Sequence, residues 1–354
     1  MPELTVKRLV GLDLFRILAA LFVFLFHTEH IKCTYGILQP FISMGATFMT
    51  GFFMLSGFSL YYVAVCRKFH FSYESIVNFY RKRLISLMPV YLTISSLWVI
   101  CFTQIGIKKE LFLLPVSILG IESVFTSLFN VSHYGGTWFI SCILFCYFVF
   151  PLFYILISKE NIKHIYILCV FVLVYSPFVV EFFKLASIYS NPYFRTLEFL
   201  IGMVICNLWL KCRRCLKCQY LFSFKIIILE YLLFVAVITY FTNLKFHYRN
   251  YMLYNIFCLP FFSIIIFSLA GLRNKFFKTS SVIKYLSNIS YVFFLAQFFV
   301  WRTTPTILKF FNVDGNFVRI LTSFTICLIL SILFYECLDK PLNKYFNNKL
   351  KVVN

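Results

Sequence analysis

Three ionisable residues lie in the first long apolar run of the chain, where a membrane makes each of them costly. Asp13, Arg16 and His27 interrupt the segment LVGLDLFRILAALFVFLFH. Ionisable groups inside a bilayer are rare and usually serve a function. An imidazole has an unperturbed pKa of about 6.5 and can take a proton from a hydroxyl near neutral pH. The pattern therefore predicts proton-transfer chemistry at His27.

The spacing of these residues predicts how they share one helix. Asp13 and Arg16 are three positions apart, so they are neighbours on one helix face and can form an ion pair. Arg16 and His27 are eleven positions apart, which returns to within roughly 20° of the same face, about 16 Å further along the axis. In the alternative interpretation, Arg16 snorkels to the interface and His27 only marks the far boundary.

A basic cluster follows the second apolar run. The segment YRKRLISLMPVY contains Arg81, Lys82 and Arg83 directly after its first residue. We predict that these three residues lie in a cytoplasmic loop. Guanidinium forks pair well with phosphate, so this basic cluster predicts a site for a phosphorylated cytosolic ligand such as a nucleotide. The alternative is a topology anchor that binds nothing.

Composition places these residues in a membrane protein. Of 354 residues, 61% are hydrophobic and only 13% charged, against about 25% charged in soluble domains. Apolar runs of about 20 residues, the length of a bilayer crossing, recur along the chain. We predict an all-α integral membrane bundle, a single transmembrane domain over 1–354 without a fused soluble domain. The net charge of +20 lies mainly in short loops, which indicates topology rather than nucleic-acid binding.

Charge also decides the number of spans. With ten spans and both termini cytoplasmic, most Lys and Arg residues fall inside, whereas an eleventh span over 111–130 would put most of them outside. Residues 105–136 are then an external segment, in part re-entrant. The first run is kept as a span, because Asp13 and Arg16 do not suit a signal peptide. The predicted spans are 9–28, 42–65, 84–104, 137–157, 165–183, 195–210, 226–242, 251–271, 285–301 and 318–337.

Two further groups of residues have more than one interpretation. Arg195 and Glu198 are three apart within a span and form either a structural ion pair or part of a cavity. Cys212, Cys215 and Cys218 are closely spaced, but neither a fourth ligand nor a second pair of cysteines accompanies them. We therefore predict a basic cytosolic loop there, with palmitoylation or metal binding as alternatives, and no metal site in the protein.

Seven short motifs resemble acyltransferase family 3, the integral membrane O-acyltransferases that act on bacterial glycans and have relatives in animals. They stand in the family's order and span nearly the whole chain. The motifs are LDLFR with His27 after Arg16, FFMLSGF, FYRKRLISLMPVY, TWFISCILFCYFVFPLF over 137–153, EFLIGM over 198–203, SNISYVFFLAQF over 287–298, and Asp339–Lys340–Pro341.

The resemblance implies transfer of an acyl group, most simply acetyl from acetyl-CoA, to a sugar hydroxyl. No cofactor is then bound permanently, since acetyl-CoA is a co-substrate. His27 would be the general base or a transient acyl carrier, and Arg16, oriented by Asp13, would hold the donor or polarise its carbonyl.

The resemblance also assigns the two substrates to residues. The basic cluster and Ser56 would bind CoA, and Tyr291, Gln297 and Trp138 would bind the acceptor; Gln297 stands where the family usually has His. Helix packing for Tyr291 and Gln297, and an interfacial anchor for Trp138, are the alternatives. The implied partners are the lipid bilayer, a lipid-linked or cell-surface glycan (capsule, exopolysaccharide or lipopolysaccharide) and polysaccharide-assembly enzymes, at a bacterial inner membrane.

Two other classes of protein compete with an enzyme. A transporter or flippase would also place polar residues inside a helix bundle. It needs no acyl-CoA, and the sequence has no internal repeat of the kind on which many transporters are built. A purely structural membrane scaffold has no need for Asp13, Arg16 and His27 within a span.

Overall fold

The fold is all-α, as the sequence predicts. The computed structural model describes residues 6–102, 106–125, 136–159, 162–183, 189–213, 223–243, 251–272 and 280–352. Within these ranges the chain is mostly helical, and none of these residues lies in a strand. Cys215 and Cys218 of the cysteine cluster lie outside the described residues.

The helices are labelled in chain order. Among the described residues, short 3-10 turns and the π-helical turn Tyr335–Asp339 connect or extend them. The helices are α1 Val10–His27, α2 Gln39–Ser43, α3 Phe48–Cys66, α4 Tyr73–Phe102, α5 Ile107–Leu119, α6 Thr137–Lys159, α7 Ile162–Phe183, α8 Pro192–Cys212, α9 Phe224–Asn243, α10 Tyr251–Ala270, α11 Ser281–Phe310, α12 Asn316–Phe334 and α13 Lys340–Val352.

Most of the predicted spans are long apolar helices. Among the described residues, seven segments are long and apolar enough to cross a bilayer. The helices α7, α9 and α10 coincide with the other three predicted spans. The count of ten crossings and the cytoplasmic termini stay predictions. The seven segments are Val10–Ile31, Gly36–Cys66, Tyr73–Phe102, Thr137–Ser158, Pro192–Cys212, Ser281–Phe310 and Asn316–Phe346.

The stretch 111–130, which the distribution of Lys and Arg excludes from the predicted spans, overlaps a short helix, α5. Helix α5 has 13 residues, which is shorter than the roughly 20 residues that a bilayer crossing requires. It continues through Pro115 and ends at Gly120, whose φ of 62° is in the left-handed region where glycine is favoured. This length agrees with a segment that does not cross the membrane.

The prediction that the basic cluster lies in a loop is wrong. Helix α4 begins at Tyr73, so Arg81, Lys82 and Arg83 lie within the helix, in its N-terminal half. The Ser72 hydroxyl accepts a hydrogen bond from the backbone N–H of Ser75 at 3.3 Å and so satisfies one of the donors at the helix start. Hydropathy marked the apolar part of α4 only, because Lys and Arg end a span without ending a helix.

The chain divides into two compact units. The first unit comprises Met1–Phe26, Tyr35–His70 and Val149–Asn288. The second unit comprises His27–Thr34, Phe71–Phe148 and Ile289–Asn354.

In the first unit, α3 and α8 pack backbone to backbone through glycines. A Cβ atom at Gly57 would overlap the carbonyl oxygen of Phe199, and a Cβ at Gly202 would overlap that of Met54. Both clashes are with main-chain atoms, which cannot rotate away. Small residues at such crossings let membrane helices approach closely, so the two glycines set the distance between α3 and α8.

We expect Gly202→Ala to destabilise the first unit. Overpacking of a close contact typically costs about 1–3 kcal/mol, so the midpoint of thermal unfolding of the protein in detergent should fall clearly. Ser59→Ala, at a half-buried position on α3, is the control and should leave the midpoint nearly unchanged. An unchanged midpoint for Gly202→Ala would contradict the close crossing.

A buried ion pair joins the same two helices. The Arg195 guanidinium lies 2.8 Å from the Glu198 carboxylate, and both side chains are 1% exposed. The Thr50 hydroxyl of α3 lies 3.0 Å from Glu198 Oε1 and 3.1 Å from Arg195 Nη1. The guanidinium also lies over the rings of Phe53 and Tyr189. The predicted pair of Arg195 and Glu198 is therefore present, and it is a structural connection within the first unit.

In the second unit, a buried carboxyl closes the turn after α5. The Tyr91 hydroxyl lies 2.8 Å from the Ser117 carbonyl and 2.9 Å from Glu122 Oε1. The Ser141 hydroxyl lies 2.8 Å from the Gly120 carbonyl and 3.1 Å from Glu122 Oε2. Burial raises the pKa of Glu122 above its ordinary value, against the hydrogen bonds that lower it. Glu122 thus ties α4, α6 and the end of α5 together.

The raised pKa of Glu122 sets the sign of a pH effect on stability. Because the folded protein holds the proton of this carboxyl more tightly than the unfolded chain does, protonation stabilises the folded state. This contribution to the free energy of unfolding is complete below the unfolded pKa of about 4.3 and is lost as pH rises through the folded pKa. We expect Glu122→Gln to remove that decline, as measured by thermal unfolding across the same pH range. Glu74→Gln, at an exposed position on α4, should keep the wild-type profile. A Glu122→Gln profile identical to wild type would contradict a carboxyl that titrates on unfolding.

Candidate functional site

His27 is the last residue of α1 and lies against an aromatic wall in the second unit. Its ring centroid is 4.2 Å from that of Trp301 and 5.8 Å from that of Phe298, both on α11. His30, in the 3-10 turn that follows α1, stacks at 5.6 Å from His27. Helix α1 therefore ends in an imidazole whose ring plane is fixed by neighbouring rings.

The face of α11 beside His27 carries polar side chains in a buried position. Gln297 and Thr304 are both completely buried. The Nε1 atom of Trp301 is also buried, although the ring as a whole is half-buried. Gln297 is among the site residues predicted from the sequence, whereas Trp301 and Thr304 are not. Their spacing of four and seven residues from Gln297 places all three on one helix face.

The other two predicted acceptor ligands have packing roles in the structure. The Tyr291 hydroxyl donates a hydrogen bond to the Leu87 carbonyl at 3.0 Å, which ties α11 to α4. Trp138, near the start of α6, is 7% exposed and packs edge-on against Phe139. These contacts agree with the packing alternative for Tyr291, and a role of either residue in binding an acceptor stays a prediction.

The predicted pair of Asp13 and Arg16 is present in the first unit, within a larger cluster. Arg16 Nη1 lies 3.4 Å from Asp13 Oδ1 and donates to the Ser287 hydroxyl at 2.9 Å. Ser287 in turn donates to Asp13 Oδ1 at 2.7 Å. Arg8 forms a second ion pair with Asp13 and also bonds to Asn288 Oδ1 at 3.2 Å. One buried carboxylate thus orients two guanidiniums.

This cluster is suited to anion binding. The side chains of Arg8 and Arg16 are 39% and 32% exposed, whereas that of Asp13 is 8% exposed. Two cations around one carboxylate give the cluster a net positive charge, and guanidinium groups bind phosphate and carboxylate in fixed geometry. Arg8 was not selected from the sequence, and Ser287 is noted there only as the first residue of the motif SNISYVFFLAQF. Arg8 precedes the apolar run and Ser287 is distant in the chain, so only the fold identifies them as partners.

The basic cluster on α4 has one member that differs from the other two. Arg81 and Lys82 are exposed, whereas Arg83 is half-buried. Its guanidinium lies 5.9 Å from the ring centroid of Phe79, and its buried Nε has no hydrogen-bond partner among the described residues. Ser56, the remaining predicted donor ligand, is half-buried on α3 in the first unit. Arg83 is therefore the member best placed to hold a phosphate firmly.

Comparison with known proteins gives one match. A family model described as "Acyltransferase domain" matches residues 9–336 of the chain. The matched range contains Asp13, Arg16, His27, the basic cluster and the polar face of α11, and it ends just before Asp339. No similar protein was found among curated proteins or among solved structures.

Proposed function

The chain belongs to acyltransferase family 3, and on that premise we propose that it transfers acetyl from cytosolic acetyl-CoA to a hydroxyl of a polysaccharide sugar. The family and the apolar helices make it a membrane acyltransferase. The observation that supports the finer proposal is the position of His27 at the end of α1, against Trp301 and beside the buried polar face of α11.

His27 acts in this proposal as the general base. The imidazole accepts the proton of the sugar hydroxyl as the hydroxyl oxygen attacks the thioester carbonyl. The tetrahedral intermediate then collapses, the carbon–sulfur bond breaks, and CoA leaves as a thiol after taking up the proton. A two-step route, in which the acetyl group first forms an acyl-imidazole on His27, balances equally well.

Arg16 and the basic cluster on α4 are proposed to bind the donor, acetyl-CoA. Arg16, oriented by Asp13 and Ser287, is proposed to hold the donor or to stabilise the negative charge that develops on its carbonyl oxygen. The basic cluster on α4 is proposed to bind the phosphates of CoA. Ser56 is proposed as a further contact to the donor.

We expect Arg83→Ala to raise the KM for acetyl-CoA about tenfold, which corresponds to a lost charge-assisted bond of about 1.4 kcal/mol, with little change in kcat. Arg81→Ala should have a smaller effect, because Arg81 is exposed and its charge is screened by solvent. Initial rates at varied acetyl-CoA measure both. Arg67→Ala, an exposed arginine at the end of α3, is the control. If Arg83→Ala and Arg81→Ala keep the wild-type KM as Arg67→Ala does, the basic cluster does not bind acetyl-CoA and serves only to fix the orientation of the chain in the membrane.

The acceptor is proposed to be a lipid-linked or cell-surface glycan at a bacterial inner membrane, where polysaccharide-assembly enzymes would supply it. The main competing function is a transporter or flippase for a glycan or lipid precursor. Its activity would not depend on acyl-CoA, whereas the aromatic wall at His27, within the second unit, suits a chemical step.

The test supplies membranes that contain the protein with acetyl-CoA, succinyl-CoA or longer acyl-CoA, each labelled in the acyl group, and the glycan fraction of the source cell. We expect label in the glycan from acetyl-CoA, released by mild base as an ester requires. Label from none of the donors, together with movement of glycan precursor across the membrane, would establish the transporter instead.

A further inference from the structure

One face of α11 carries a row of buried polar groups. The resemblance selects Gln297 among them, but neither the resemblance nor the proposed chemistry gives a ligand to Trp301 or Thr304. We call Gln297, Trp301 and Thr304 the polar row. On a helix, positions i, i+4 and i+7 lie within roughly 60° of each other and extend over about 10 Å. The polar row is therefore a continuous strip along the helix, and Trp301 at its centre contacts His27.

The hydrogen-bonding groups of the polar row are not satisfied by the protein. Within the part of the chain that the structure describes, the amide oxygen and nitrogen of Gln297, Nε1 of Trp301 and the hydroxyl of Thr304 have no hydrogen-bond partner. Buried polar groups are nearly always paired, because an unpaired one has lost its bonds to water and gained none. Three such side chains on one strip indicate a ligand or ordered solvent bound along it.

The chemistry of the polar row indicates a neutral hydroxylated ligand. Gln297 and Thr304 each offer donors and an acceptor, and Trp301 offers a donor. Hydroxyl groups both donate and accept, so they can satisfy all of these atoms. A phosphate ester accepts only, and it would leave the amide oxygen of Gln297 without a partner.

The neighbouring rings support a sugar in particular. Trp301 and Phe298 lie 4.7 Å apart at their centroids and at a steep angle to each other. They give the strip an apolar side beside its polar one. A pyranose has the matching construction, with hydroxyls around its edge and C–H groups on its faces. A strip of about 10 Å exceeds what a single hydroxyl needs and suits a ligand of one or two sugar rings.

We propose that the polar row is the binding site of the sugar acceptor and presents one of its hydroxyls to His27, with Trp301 also holding the imidazole in place. This inference rests on the proposed function and deepens it, because it names the residues and the neutral sugar class. Gln297 and Thr304 are then specificity-determining residues, and Trp301 is both a ligand contact and a positioning residue.

Apolar substitutions in the polar row separate stability from binding. Gln297→Met and Thr304→Val remove unpaired polar atoms at nearly constant volume, so the midpoint of thermal unfolding without ligand should stay equal or rise. Trp301→Phe keeps an aromatic ring against His27 but replaces the indole by a smaller phenyl ring that has no N–H. A fall of the midpoint in both Gln297→Met and Thr304→Val would show that the protein itself satisfies these atoms, and it would overturn the proposal.

Binding is tested on the full-length protein in lipid nanodiscs with octyl glycosides as probes. The panel carries glucosyl, galactosyl, rhamnosyl and N-acetylglucosaminyl headgroups, and octyl phosphate and octyl tetraethylene glycol control for charge and for the alkyl chain. We expect at least one glycoside, and neither control, to raise the unfolding midpoint of wild type. This rise should be lost in Gln297→Met and Thr304→Val and kept in His30→Ala, which changes an exposed residue outside the polar row.

The outcomes distinguish this inference from the function on which it rests. A rise that persists in the polar-row variants, or no rise with any glycoside in wild type, overturns the polar row as the acceptor site, even where acetyl transfer is found. A rise that depends on the polar row, without acetyl transfer in wild-type membranes, overturns the proposed function and supports a sugar site at Gln297, Trp301 and Thr304.

Discussion

His27→Ala should lower the rate of acyl transfer by about 10²–10⁴-fold, the usual contribution of a positioned general base. The protein should still fold, because His27 is only half-buried at the end of α1. The loss should appear in kcat, since the imidazole acts in the transition state rather than in binding either substrate. Initial rates at saturating donor and acceptor, at matched protein levels, measure it.

His30→Ala is the matched control for this effect. His30 is exposed and stacks 5.6 Å from His27, so it is a second histidine in almost the same place. Its removal should leave the rate little changed. Equal losses in the two variants would mean that the turn after α1 is disturbed and that His27 has no special part in the chemistry. Full activity in His27→Ala would exclude it as the base.

Glu198→Ala should cost about 3–5 kcal/mol of stability, as removal of one partner of a buried ion pair does. The guanidinium of Arg195 would remain at a site that is 1% exposed, between α3 and α8, without its carboxylate. We expect the protein to accumulate poorly in membranes and to unfold at much lower temperature in detergent, because desolvation of an unpaired charge is not offset.

Replacing both partners should restore much of this loss. In Arg195→Met/Glu198→Leu no buried charge remains, and apolar replacement of a buried pair is often close to neutral. Asp314→Ala is the control, because it breaks an exposed pair with Arg319 and should change the unfolding midpoint little. If Glu198→Ala is as stable as wild type, the pair does not connect α3 to α8.

The sequence was sufficient for features that are local or that depend on burial in lipid. Apolar length located the helices, because lipid requires long unbroken runs. Spacing of three residues identified the pairs of Asp13 with Arg16 and of Arg195 with Glu198, since the partners lie on one helix. Hydropathy did not locate the start of α4, because charged residues continue a helix beyond its apolar part.

The contacts between distant segments could not be read from the sequence. Ser287 reaches Asp13 from α11, and Glu122 receives the hydroxyls of Tyr91 and Ser141 from two other helices. No periodicity links such positions. The sequence shows Glu122 only as one residue of the stretch 111–130 that charge excludes from the spans, whereas the structure makes it the centre of a buried network.

The polar row could be predicted from the sequence only in part. The spacing of Gln297, Trp301 and Thr304 is visible in the sequence, but a Trp in a span usually marks the membrane interface and a Thr usually bonds its own helix. Only the structure shows that these atoms are buried without partners and that Trp301 contacts His27.

The most direct test of the central claim is the transfer of labelled acetyl from acetyl-CoA in membranes that contain wild type, His27→Ala or His30→Ala, with the source cell's glycan fraction. We predict base-labile label in the glycan with wild type and His30→Ala, and none above background with His27→Ala. Equal labelling by all three proteins, or no labelling by wild type although it is folded and the native glycan is present, would contradict an acetyltransferase centred on His27.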